Sequence, residues 1–174
     1  MKPLFVDVDG VIRDLDYAVL GNHDGAWAKE VDGMSFIDYV TKHRDRLLTD
    51  TPETKYCSAL QYWARLAGPN AFKFLTSQPK EWRPYTLAWL KERFPDIEII
   101  FVSKPAEKLA FIEEADGVLI EDYPFFKDYS RIILIDRPYN RKVDCRRIKD
   151  VPEFLHTLLM VRVDEDILNK DDTK

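Results

Sequence analysis

Five short apolar runs punctuate the chain, over residues 4–8, 73–76, 98–102, 118–120 and 131–135. Each is rich in β-branched or aromatic residues. Most run on without polar alternation, which is the pattern of strands covered on both faces of a parallel sheet. Helical patterns separate the later runs. Residues 82–94 carry Trp82, Tyr85, Ala88 and Trp89 at helical spacing, and Pro95 stops the pattern. Pro105 stands where the next helix begins, a position that suits a residue without an N–H, and that helix reaches about Ala115. Residues 151–161 supply a last amphipathic helix with Pro152 near its start. Strands alternating with helices predict an open α/β sheet.

One connection breaks this rhythm. Residues 13–72 hold no convincing strand, yet a βα crossover needs far fewer residues. The stretch carries helical patterns instead: Phe36, Ile37, Tyr39 and Val40, then Tyr56, Leu60, Trp63, Ala64 and Ala67. The predicted organisation is a core built from residues 1–13 and 73–163, a helical insertion over 14–72, and a flexible acidic tail over 164–174.

At 174 residues, with 45% hydrophobic and 13% aromatic side chains, the chain can bury a real core. The formal charge of -5 argues against a protein that coats long nucleic acid, while leaving room for a small anionic substrate held by a few local cations and a metal. Cys57 and Cys145 lie far apart and read as free thiols of a reducing compartment. The N-terminal apolar run is too short for a signal peptide, and no stretch approaches the roughly 20 apolar residues that span a bilayer. A cytoplasmic location, away from membranes, is the expectation.

Ligands of open α/β sheets bind beyond the carboxyl ends of the strands. The first strand here ends in Asp7-Val8-Asp9-Gly10, the second in Thr76-Ser77, and the fourth in Glu121-Asp122; Lys104 and Lys108 follow the third. Acids, hydroxyls and a lysine therefore gather on one edge from distant positions. An Asp-x-Asp-Gly stretch alone is often a turn, but directly after Leu4-Phe5-Val6 it points to chemistry. His23, His43 and His156 show no metal-ligand spacing and read as surface or structural. Asp14 and Asp16 read as surface acids, and Asp136, Tyr139 and Asn140 as ordering a loop near the site.

These residues resemble the motifs of the haloacid dehalogenase (HAD) superfamily of phosphotransferases: Phe5-Val6-Asp7-Val8-Asp9-Gly10-Val11, then Thr76 or Ser77, then a lysine, then Leu119-Ile120-Glu121-Asp122. The resemblance implies a Rossmannoid three-layer α/β sandwich with a five-stranded parallel sheet and a small helical cap at the insertion. It implies Asp7 as a phosphoryl-accepting nucleophile and Asp9 as general acid and base. Gly10, Thr76, Ser77 and Lys108 would bind the phosphoryl group, with Lys104 the alternative lysine. Asp7, the Asp9 backbone carbonyl and Asp122 would hold Mg²⁺, leaving Glu121 outside the direct ligands. The chemistry fits the residue types. A carboxylate splits one hard displacement into two easier ones, and a hard cation lets acids face a phosphate dianion.

A finer resemblance is to the 5'(3')-deoxyribonucleotidases and 5'-nucleotidase C-type proteins. It is carried by residues 74–79, by Leu119-Ile120-Glu121-Asp122-Tyr123-Pro124, and by Ile133-Leu134-Ile135-Asp136-Arg137-Pro138-Tyr139-Asn140-Arg141. It implies a nucleoside monophosphate as the small phosphorylated substrate, stacked on cap aromatics. Trp27, Tyr62 and Trp63 are the candidates for that pocket, with Tyr17, Phe36 and Tyr39 nearby in sequence. A different small phosphate ester, a nucleic-acid 3'-phosphate and a catalytically silent HAD-derived binding protein are the alternatives. A receiver-type signalling domain fits poorly, since its phosphoacceptor follows a middle strand. A homodimer is left open.

Overall fold

A computed structural model describes residues 2–162, so the acidic tail expected over 164–174 lies outside the described residues. Strand β1 (Leu4–Val6) is buried along its whole length and occupies the middle of the main sheet. On one side it pairs with β4 (Lys73–Ser77), and beyond that lies β5 (Ile99–Val102). On the other side come β6 (Val118–Glu121), β7 (Ile132–Ile135) and β8 (Arg147–Ile148). All these pairs are parallel, in the order β5-β4-β1-β6-β7-β8. The chain builds outward from β1 in one direction and then returns to build the other way. This reversal leaves a crevice at the carboxyl ends of β1, β4 and β6.

The sheet is six-stranded where five strands were expected. The extra one, β8, is two residues long, too short for any periodicity to reveal, yet Ile148 is buried against Ile135 at the sheet's edge.

Alternate residues of each strand face opposite layers. Leu4, Val6, Phe74, Ile120, Ile133 and Ile135 pack with α4 (Lys55–Ala67), α5 (Arg83–Arg93) and α7 (Val151–Arg162). Phe5, Leu75, Leu119, Ile132 and Leu134 pack with α6 (Pro105–Glu114). The result is a three-layer sandwich. Pro105 does open α6, and Glu107 closes its first turn by accepting from the Ser103 N–H at 2.9 Å.

The insertion divides by its packing. Helix α4 belongs to the main body: Tyr56, Leu60 and Trp63 share the core cluster with the sheet, and its neighbour is α7. Thr54 starts this helix by accepting from the Tyr56 N–H (3.2 Å) and donating to the Val11 carbonyl (2.5 Å). Ahead of it, α1 (Leu15–Leu20), α2 (Phe36–Lys42) and α3 (Arg44–Leu47) form a smaller cluster that closes on Trp82. The insertion is also not wholly helical. A short hairpin, β2 (Glu30–Val31) with β3 (Met34–Ser35), turns through Asp32 and Gly33, both at positive φ. Among the described residues no helix is long and apolar enough to cross a membrane.

Candidate active site

Asp7 leaves β1 at the centre of the sheet, its N–H still donating to the Ile120 carbonyl of β6 at 2.9 Å. The chain then turns sharply. The Ile12 and Arg13 N–H groups both donate to the Val8 carbonyl, and the Gly10 N–H donates to the Arg13 carbonyl, each at 2.9 Å. Gly10 has φ +80°, and a Cβ there would fall 1.9 Å from Asp122 Oδ2. Only glycine meets both demands. Arg137 steadies the turn from outside, Nη2 donating to the Gly10 carbonyl at 2.6 Å.

Lys104 is exposed at the start of α6, whereas Lys108, one turn further, is buried and reaches the end of β1. Its Nζ lies 2.8 Å from Asp7 Oδ1 and 2.6 Å from Glu121 Oε2. Burial disfavours the ammonium, but the charges of Asp7 and Glu121 outweigh that and hold Lys108 above its ordinary range. Burial, reinforced by the neighbouring Glu121, raises the Asp7 carboxyl well above its usual value against the pull of Lys108. Glu121 is raised by burial too, and its Oε1 accepts from the Asp122 and Tyr123 N–H groups at 3.1 and 3.3 Å.

Asp122 is fixed by the segment after β7. The Tyr139 hydroxyl donates to its Oδ2, while Asn140 Nδ2 donates to the Asp122 carbonyl (2.9 Å) and to the Ile135 carbonyl (2.8 Å). Tyr139 and Asn140 thus order the loop that carries Asp122, whereas Asp136 turns away to Arg141. Burial, together with the charge of Asp7, pushes Asp122 up to about 6.

Carboxylate oxygens of Asp7, Glu121 and Asp122 lie within 4.8 Å of one another. Three buried acids around one lysine carry more negative charge than that lysine neutralises, a donor set that fits a hard, oxygen-seeking cation. Glu121 spends both of its oxygens on Lys108 and on backbone N–H groups, which leaves Asp7 and Asp122 as the freer ligands.

Asp9 sits two residues on, at the rim. It accepts from Arg13 Nε on Oδ1 (2.7 Å), and from Arg13 Nη2 (3.0 Å) and Gln78 Nε2 (2.6 Å) on Oδ2. Neither Arg13 nor Gln78 was singled out from sequence. Of the hydroxyl pair, Thr76 is buried within β4 and Ser77 faces the site, as alternation along a strand requires.

These groups floor a cavity of about 410 Å³ whose walls include Trp27, Phe36, Trp82 and Tyr123. Trp27 meets Tyr123, Phe125 and Tyr139 edge-on, at ring separations of 5.6, 5.2 and 5.7 Å. Tyr62 and Trp63 are elsewhere. Both ride on α4, where Trp63 packs into the core and Tyr62 points to solvent, and neither lines the cavity. Asp16, read as a surface acid, is buried and lines the cavity. It accepts from the Gly25 and Ala26 N–H groups (2.9 and 2.8 Å) and so anchors the turn that presents Trp27; burial raises its carboxyl. Asp14 accepts from His23 at 2.9 Å.

No family model matches the chain, and neither does any curated protein. Among solved structures, it is similar to a HAD family hydrolase from Deinococcus radiodurans R1 crystallised with bound phosphate and sodium. The TM-score is 0.54 at 14% identity, covering 93% of this chain and 96% of that one. The likeness establishes a HAD-like α/β fold.

Proposed function

We propose that this protein is a Mg²⁺-dependent phosphomonoesterase that works through an aspartyl-phosphate on Asp7 and acts on (deoxy)ribonucleoside monophosphates. The observation that carries the reading is the placement of Asp7: buried at the end of the central strand, ion-paired to Lys108, and opening with Asp122 onto an aromatic-walled cavity. The fold neighbour's bound phosphate supports a phosphoryl group as the ligand.

In the first half-reaction an Asp7 oxygen attacks phosphorus, the ester P–O bond breaks, and the leaving oxygen takes a proton from Asp9. In the second, water attacks phosphorus, its proton passes to Asp9, and the P–O bond to Asp7 breaks to regenerate the carboxylate. Lys108 and Ser77 hold phosphoryl oxygens while charge develops on them. Asp7, the Asp9 backbone carbonyl and Asp122 would hold Mg²⁺, which when bound would supply the positive charge that lets a dianion approach these acids. The nucleoside end of the substrate stacks on the aromatic wall, Trp27 included. A cavity of about 410 Å³ is within the size range of small-ligand pockets.

Purified protein with Mg²⁺ should release phosphate from a panel of nucleoside monophosphates faster than from sugar phosphates. EDTA should abolish release. Equal turnover with and without a divalent cation would overturn the reading.

A further inference from the structure

We infer that Arg13 is the positioning residue that aims Asp9 at the attacking water, an inference that rests on the phosphatase reading above. Arg13 is wholly buried, and each of its three guanidinium nitrogens has a partner. Nε and Nη2 grip both oxygens of Asp9, Nη2 also donates to Thr86 Oγ1 (2.9 Å), and Nη1 donates to the Leu48 carbonyl (3.1 Å). The guanidinium lies over the Trp89 ring, 5.6 Å from its centroid. A buried arginine is costly unless its donors are satisfied, and here they are satisfied by groups from three separate parts of the chain. The clamp therefore cannot turn without disturbing α5 or the end of α3.

The consequence falls on Asp9. A carboxylate offers about four acceptor sites. Arg13 and Gln78 occupy two on Oδ2 and one on Oδ1, so the remaining site is on Oδ1. A purely structural ion pair has no need to open on a cavity, yet Asp9 lines this one beside Asp7. The clamp selects one oxygen and one direction for the proton that water loses. In that step the water oxygen bonds to phosphorus, the P–O bond to Asp7 breaks with its electrons returning to the Asp7 carboxylate, and the proton goes to Asp9 Oδ1.

Stopped-flow turnover of p-nitrophenyl phosphate by the Mg²⁺-loaded protein tests this. Its leaving group departs without protonation, so only the second half-reaction depends on how Asp9 is aimed. Arg13→Met should show a stoichiometric burst of p-nitrophenolate and then a steady state slowed about 10²-fold, with KM no higher than that of the wild type. Thr86→Val, which removes one anchor of the guanidinium and changes volume little, should give the same pattern severalfold more weakly. It carries the test if Arg13→Met does not fold. Slowed turnover without a burst, or unchanged turnover in the variant tested, overturns the assignment while leaving the phosphatase reading intact. A wild type that turns over no ester overturns both.

Discussion

Lys108 Nζ stands between Asp7 Oδ1 and Glu121 Oε2, at 2.8 and 2.6 Å, so one buried ammonium serves two carboxylates. The glutamate at position 121 is one methylene longer than the aspartate that follows it. The extra methylene lets Glu121 reach Lys108, while its other oxygen stays with the backbone N–H groups of Asp122 and Tyr123. Glu121 thus holds the lysine against Asp7.

Lys108→Met should lower kcat by about 10²–10³-fold, since it removes a charge aimed at the developing phosphoryl oxygens. Lys104→Met, at the exposed start of α6, should leave kcat and KM as they are. Steady-state kinetics on the two variants checks the assignment. Equal losses in both would contradict it.

The acid cluster makes metal-free stability depend on pH in a definite direction. Asp122 is raised from 3.8 to about 6 in the folded protein. Below the unfolded value both states are protonated and the group is neutral to stability. As pH rises from about 4 to 6 the unfolded chain releases this proton first, so the folded state loses ground, by about 3 kcal/mol in all. Compared with Asp122→Asn in EDTA, the wild type should therefore lose unfolding free energy across that window, as read by urea titration. Mg²⁺ should restore it more at pH 7.5 than at pH 4.5. Parallel pH profiles for the two proteins would contradict the burial account.

Trp27→Ala should raise KM for a nucleoside monophosphate about tenfold, in line with the roughly 1–3 kcal/mol that base–aromatic stacking contributes. KM for acetyl phosphate, which has no ring to stack, should hardly change. Tyr62→Ala should alter neither, because Tyr62 is solvent-facing on α4 and away from the cavity. Kinetics on both substrates separates these outcomes.

Much of the framework was legible because it rests on local patterns. Apolar runs mark β1, β4, β5, β6 and β7, and Pro105 marks the start of α6. Lys108 and Lys104 both remained candidates from sequence, and the fold brings Lys108 to Asp7. What escaped depends on where distant segments meet. Arg13 follows the motif closely in sequence, but its burial is defined by Thr86 and Leu48, which no spacing rule connects to it. Asp16 resembles any surface acid until the Gly25–Ala26 backbone folds onto it.

Trp63 shows the opposite error. With Tyr56, Leu60 and Ala67 it forms an apolar stripe at helical spacing, the ordinary signature of a core face, and only the finer resemblance made it a pocket candidate beside that reading. The Asp32-Gly33 hairpin did carry a readable signal, the Asp-Gly pair of a tight turn, but its strands are only two residues long.

In the proposed reaction Asp7 carries the phosphoryl group between the two half-reactions. Acid quenching during turnover, borohydride reduction of the acyl phosphate and peptide mass spectrometry test it directly. Homoserine should appear at position 7, formed only when substrate and Mg²⁺ are both present and absent from Asp7→Asn. Phosphate release with no modification at position 7, or undiminished turnover by Asp7→Asn, would contradict it.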